Sequence, residues 1–429
     1  MSATPTDNLL LLRATSLLGL GVIVVLAFAF SEARRRVSWA LVAKAIALQF
    51  AFGLFILRTD VGRGVFDAVK GGFDLLTDAS ASASQFLFGN LSNFFLIDSV
   101  LAPGAGGGLG PVSGYPISAV FAFRVLPLIV FVSGIAGILQ HLGVIQRVVR
   151  GLSWLMRRTL RTSGAETFGV ALQVFMGIES ITAQAGYIRT MTRSEIFTIM
   201  TSFLATIAAS VMVAYANFGA DPGHLVAASL MSAPASILIA KLLVPERETP
   251  QTLHGGGEDI PRESHNVFDA AAQGAALGVQ IAMNVAALLI VFIGLIYLMD
   301  QASVWLTASP LAHWMGYLFR PAAFLIGVPP GDLVPVSQLI ATKTVFNEFL
   351  AYQNLGGFVK EQLISERGRV LATYALCGFA NPGSVGIMIA GIASLAPERR
   401  PEIAQLAMKA FLAGTLVSLS TACVAGVIL

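Results

Sequence analysis

Eight apolar runs constrain this chain more than any other feature, because each approaches the roughly 20 residues a helix needs to cross a bilayer. They fall at 9–30, 39–57, 120–142, 196–215, 225–243, 274–299, 370–395 and 404–429. Of 429 residues, 55% are hydrophobic and 12% are charged. Soluble domains carry about 25% charged residues. An ordinary soluble fold is excluded, and an all-α integral membrane protein is expected. The first run follows a polar start, Ser2 to Asn8, with no basic region or cleavage site, so it reads as a retained helix.

The net charge of +3 comes from arginines between the runs. It reports topology and implies no nucleic-acid partner. Arg34–Arg36, the group Arg147, Arg150, Arg157, Arg158 and Arg161, then Arg189 and Arg193, Lys241 and Arg247, and Arg399 and Arg400 fall on alternate connections. The positive-inside rule makes these cytoplasmic and turns both termini outward. Lys360, Arg367 and Arg369 break the rule. Cys377 and Cys423 lie in apolar runs, so no disulfide framework is expected, and the five histidines are scattered without metal-ligand spacing.

Two carboxylates sit inside apolar stretches: Glu179 in 174–185 and Glu348 in 339–351. A charge at membrane depth costs about 2.5–3.5 kcal/mol on insertion scales, so such groups face a watery cavity or a partner. Lys343 is a candidate partner for Glu348. Lys44 and Arg124 lie near helix ends, where they can snorkel. The run GFANPGSVGI at 378–387 breaks the seventh span: Pro382 removes a donor, Gly383 loosens the backbone, and Asn381 and Ser384 offer side-chain hydrogen bonds. In the fourth span the matching place is ATIAASV at 205–211, with Thr206 and Ser210 as its polar members. There, close helix packing by small residues competes with a functional break.

Segment 63–95 is amphipathic and is expected at the interface. Segments 143–162 and 311–327 read as helices in the headgroup plane, and 246–265 as a hydrophilic linker. An interfacial helix, a short broken segment bearing glutamate, a polar stretch and two spans occur in that order twice. The intervening span count puts the copies in opposite orientations, the pattern of an inverted repeat around a central site. Four regions follow: 1–142 with N-terminal scaffold spans, 143–244 as the first repeat, 245–300 as linker and scaffold span, and 301–429 as the second repeat. The glycine run GAGGGLG at 104–110 lacks the strand and Lys-Ser/Thr of a phosphate loop and reads as an extramembrane loop. No catalytic set appears in an apolar segment, so no enzyme and no cofactor are expected. A carrier of a polar solute and a passive channel are the open readings.

The runs FAFRVLP (121–127), MTRSEIFTIM (191–200), KTVFNEFLAY (343–352), ALCGFAN (375–381) and LAPERRPEIAQLAMKAFLAGTL (395–416) resemble the concentrative nucleoside transporter family. The resemblance implies a homotrimer in the cell membrane, here a bacterial inner membrane. Each protomer would hold a mobile transport domain with two re-entrant hairpins, driven elevator-fashion by sodium or protons. It further implies that Glu348, Asn381 and Ser384 bind ribose, that Phe379 and Val211 lie against the substrate, and that Thr206 and the Ile207 carbonyl bind sodium. The first hairpin departs from the family's G-Q-T-E-x-P. Gly177-Ile178-Glu179-Ser180 stands there instead, and either Glu179 or Ser180 replaces the family glutamate, depending on where a one-residue gap falls. Both base-reading polar groups are missing, which opens transport of another polar solute. Gln173 replaces a sodium-binding asparagine, and Met176 still offers a carbonyl.

Overall fold

A computed structural model describes residues 5–92, 95–97, 100–103, 109–112, 115–117, 121–177, 180, 184–253 and 264–429. Glu179, most of the glycine run and part of the hydrophilic linker lie outside the described residues. Helices α1 (Pro5–Ala29), α2 (Trp39–Arg58) and α3 (Asp60–Phe88) open the chain. Two small antiparallel ladders follow, β1 (Phe95–Ile97) with β4 (Tyr115–Ile117) and β2 (Val100–Pro103) with β3 (Leu109–Val112). They are the only strands among the described residues. Leu109 and Gly110, expected in a loop, pair as part of β3.

Next come α4 (Phe121–His141), α5 (Val144–Leu160) and α6 (Gly164–Gln173), then a helical turn at Ala185–Ile188. They lead to α7 (Arg193–Ala205), α8 (Ala209–Asn217) and α9 (Pro222–Leu243). The second half holds α10 (Val267–Thr307), α11 (Leu311–Leu325), α12 (Leu333–Val345), α13 (Glu348–Lys360), α14 (Glu366–Leu376), α15 (Pro382–Leu395) and α16 (Arg400–Ile428).

Many of these helices begin where side-chain chemistry dictates. Ser163, Thr192, Asp221, Asn347, Ser365 and Asn381 each accept a hydrogen bond from the first turn of the helix they precede. Such caps satisfy donors the helix leaves free, each contributing about 1 kcal/mol. Seven segments among the described residues are long and apolar enough to cross a membrane. The seventh expected run, 370–395, is two helices separated at Cys377–Asn381. The fourth is broken as well: residues Thr206 to Ala208 are not helical, so packing by small residues does not account for this place.

The interior gathers around α7, α8 and α9, which are almost wholly buried. Helices α1 and α2 pack against α9 and α16, and α16 also packs on α7 and α14. By contrast α4 and α10 pack chiefly along one another. The 41 residues of α10 span about 60 Å at 1.5 Å per residue, roughly twice a hydrocarbon core. Its outer face carries exposed Ile290, Tyr297, Leu298, Trp305 and Leu306.

The exception to the charge rule has a structural cause. Arg367 donates to the carbonyls of Gly327 (3.2 Å) and Gly426 (2.8 Å). Arg13 donates to Leu429 (2.8 Å) and Arg58 to Ile428. Three guanidiniums thus meet the carbonyl end of α16, where the helix dipole favours cations. Arg369 pairs with Glu366 at 2.6 Å, and Lys360 ends α13 in solvent.

Candidate functional site at the meeting of two broken helices

The two interruptions lie side by side. Gly378 has φ +144°, a conformation that favours glycine, and a side chain there would come within 3.0 Å of the Ala205 carbonyl. Phe203 of α7 and Phe379, between α14 and α15, have ring centroids 6.3 Å apart. Backbone left unpaired at such breaks is tolerated in a membrane only beside protein or water.

Glu348 stands at this junction. Phe346 and Asn347 separate α12 from α13, which pack on one another, and Asn347 caps α13 through Leu350 N–H at 2.8 Å. Glu348 is therefore the first helical residue, where the positive end of the helix favours a carboxylate. It is 5% exposed. Tyr215 Oη donates to Oε1 at 3.0 Å, and Asn381 Nδ2 donates to Oε2 at 2.7 Å. Asn381 Oδ1 accepts from the Ser384 N–H at 2.9 Å, so one carboxamide caps α15 and holds the carboxylate. The rings of Tyr215 and Tyr352 stack at 4.4 Å, and Phe349 meets Tyr215 edge-on at 5.0 Å. The buried Lys343 ammonium turns to Ser418 Oγ at 3.1 Å, and no ion pair among the described residues joins it to Glu348.

The first-repeat candidates form an adjoining group. The Ala209 N–H donates to the Phe175 carbonyl at 3.3 Å, which brings the turn after α6 to the break between α7 and α8. Met176 follows Phe175, and Thr206 and Ile207 lie in the break. Thr206 Oγ1 donates back to Ser202 O at 2.9 Å. Gln173 is fully buried; its Nε2 donates to Ile199 O at 3.2 Å, while its Oε1 has no hydrogen-bond partner among the described residues. Ser180 Oγ is folded onto Gly177 O at 2.7 Å. Glu179 falls outside the described residues, so its meeting with Glu348 is not placed.

Each helical pair is fastened at its foot. Ser163, the cap of α6, donates through Oγ to Glu195 Oε1, and Glu195 Oε2 accepts from Thr192 N–H at 2.7 Å. Lys241 adds a 2.7 Å ion pair with Glu166 and a 2.9 Å bond to Ser194 Oγ. In the C-terminal half, Asp332 before α12 accepts from Ser365 Oγ and from Ser365 N–H (3.1 Å) at the start of α14. One carboxylate–hydroxyl pair serves each half, with donor and acceptor exchanged.

Tyr215, Tyr352 and the foot residues Glu166, Glu195, Lys241 and Asp332 were not evident as site candidates in the sequence. Tyr215 is four residues after Val211 and Tyr352 four after Glu348, the spacing that shares a helix face. That spacing was the available signal.

Three family models cover most of the chain. "Na+ dependent nucleoside transporter N-terminus" matches residues 18–91, "Nucleoside recognition" matches 122–222, and "Na+ dependent nucleoside transporter C-terminus" matches 224–426. The "Uncharacterized transporter YutK" of Bacillus subtilis is 37% identical over 96% of this chain and 98% of its own length. The chain belongs to the concentrative nucleoside transporter family. "Sodium/nucleoside cotransporter 1" of Rattus norvegicus is 36% identical over 97% of this chain. The chain spans 64% of that relative's length. The solved structure of CNTnw in an inward-facing substrate-bound state is 34% identical, covers 97% of each chain and has a TM-score of 0.85. A variant of CNTnw in an outward-facing state matches with the same score. These relatives are transporters rather than enzymes, and the family assignment carries the all-α membrane architecture with it.

Proposed function

We propose that the protein is a nucleoside symporter coupled to sodium or protons, working by an elevator type of alternating access. The observation that carries this reading is Glu348, a buried carboxylate held between Tyr215 of the first repeat and Asn381 of the second. A carboxylate has lone pairs for two adjacent hydroxyl donors, and charge-assisted bonds exceed neutral ones in strength. Glu348 accepts the paired ribose hydroxyls, Asn381 and Ser384 complete the sugar contacts, and Phe379 and Val211 border the apolar part of the substrate. Glu179 is assigned to the same cavity as a second substrate or proton-carrying group.

Gln173, Met176, Thr206 and Ile207 form the proposed sodium site. The donor set fits: a buried carboxamide oxygen with no partner among the described residues and a broken helix supply hard oxygen ligands. The packing of α4 along α10 supports a fixed frame. On this reading α1 and α2, expected from the sequence as scaffold spans, instead travel with α9 and α16, against which they pack, and the two fastened hairpins dip into the membrane from opposite sides. The exposed apolar face of α10 supports burial against lipid or further protomers, consistent with a homotrimer in a bacterial inner membrane with both termini outward.

Proteoliposomes with sodium and proton gradients imposed separately, offered purine and pyrimidine nucleosides, test the reading. Accumulation driven by one gradient is the expected result. Flux without accumulation would identify a channel instead. The altered first hairpin favours one second reading, carriage of another polar solute. Failure of every nucleoside to compete with the carried solute would select it.

A further inference from the structure

Helix α5 has a face that substrate carriage does not use. Its sequence, VIQRVVRGLSWLMRRTL, contains four arginines and no acidic residue, and Arg161 follows at once. Gln146, Val149, Ser153, Met156 and Leu160 are buried, and α5 packs against α6. The opposite face exposes Arg147, Arg158 and Arg161 with Val144, Val148 and Trp154. The Arg158 guanidinium lies 5.8 Å from the Trp154 ring centroid. Tryptophan and arginine side by side, with scattered valines, suit the boundary between headgroups and acyl chains.

The same helix is tied to hairpin 1. Arg161 turns the chain with φ +58°, and its N–H caps Arg157 O at 2.9 Å. Thr162 Oγ1 lies 3.0 Å from Thr167 Oγ1 on α6. A force on α5 therefore reaches the foot of α6 through a connection of three residues.

We propose that the exposed face of α5 is a docking surface for anionic phospholipid headgroups, which hold the foot of hairpin 1 at its working depth. Guanidiniums bind phosphate oxygens in pairs, and basic groups beside an anionic leaflet are attracted within a Debye length. The surface requires no particular solute, and its first readout is lipid binding, so its failure is separate from failure of the transport reading.

The test uses the full-length protein with Trp39, Trp305 and Trp314 replaced by Phe, leaving Trp154 as the reporter. It is placed in nanodiscs of phosphatidylcholine doped with brominated phosphatidylglycerol or brominated phosphatidylcholine. The expected result is stronger quenching by the anionic lipid, abolished by Arg147→Gln/Arg158→Gln/Arg161→Gln. The Arg34→Gln/Arg35→Gln/Arg36→Gln control should keep the preference. High salt on the unsubstituted arginines should also remove it, which covers a triple variant that fails to fold. Transport in proteoliposomes should rise several-fold with phosphatidylglycerol and lose that dependence in the α5 variant. Equal quenching by both lipids, no quenching because another protomer covers Trp154, or equal loss in the control would overturn the proposal.

Discussion

The phenol of Tyr215 donates to Glu348 Oε1 at 3.0 Å, tying α8, beyond the break at Thr206–Ala208, to the first turn of α13. The stack of Tyr215 on Tyr352 fixes the ring that makes this bond. Hydrogen bonds to charged groups contribute about 1.5–3 kcal/mol. Tyr215→Phe keeps the stack and removes the bond. It should raise the KM for nucleoside uptake about ten-fold, the equivalent of about 1.4 kcal/mol. Unchanged concentration dependence of uptake would remove Tyr215 from the site.

Glu348→Gln keeps the size of the side chain but turns part of an acceptor into a donor facing Asn381 Nδ2. Uptake should be abolished while membrane insertion and assembly persist, as judged by gel filtration. Normal uptake by a correctly inserted variant would exclude Glu348 as the sugar ligand.

Gln173 presents, beside the first break, a buried oxygen without a partner among the described residues. Gln173→Ala should raise the sodium concentration for half-maximal uptake at least several-fold, with less effect at saturating sodium. An unaltered sodium curve, or uptake driven by protons alone in the parent protein, would discard the proposed cation site.

Glu32, in the connection after α1, accepts from Lys409 at 2.8 Å and Arg193 at 3.3 Å. Burial pushes its carboxyl pKa upward, but these two cations outweigh burial and hold it below the ordinary 4.5. A carboxylate with a depressed pKa in the folded state adds stability above its unfolded pKa, and that stability is lost as pH falls through the folded value. Glu32→Gln should thus melt earlier than the parent at neutral pH. The gap should close below pH 4.5. A gap independent of pH would show that the ion pairs are not its origin.

Gly356 and Gly357 offer a matched pair on α13. A Cβ at Gly356 would lie 2.1 Å from Phe218 O, whereas nothing lies within 4 Å at Gly357. Gly356→Ala should lower the melting temperature and impair uptake. Gly357→Ala should be neutral or stabilising, since alanine gains about 1 kcal/mol over glycine inside a helix. Equal behaviour of the two variants would contradict the close approach of α13 to the end of α8.

Hydropathy made most of the membrane helices legible, and the Pro382 region announced its own break. Break chemistry at Thr206–Ala208 was harder to read, because alanine, threonine and isoleucine also make ordinary helix. Gly378 pressed against Ala205 O, with Phe203 beside Phe379, reveals that the two interruptions share one place. Glu348 and Asn381 were readable as unusual residues, but the bond between them joins positions 33 apart, beyond any local pattern. Tyr215 escaped notice because an aromatic in an apolar helix ordinarily means packing. Arg367 looked like a topological anomaly until its contacts with Gly327 and Gly426 explained it. Global charge rules count residues, whereas a helix terminus recruits them one by one.

Both oxygens of Glu348 already have donors supplied by the polypeptide. On the proposed cycle this governs the return stroke, when the carrier must recross the bilayer without cargo. A bare anion would resist that passage. A carboxylate solvated by its own tyrosine and asparagine carries its solvation along, so resetting need not wait for a new passenger.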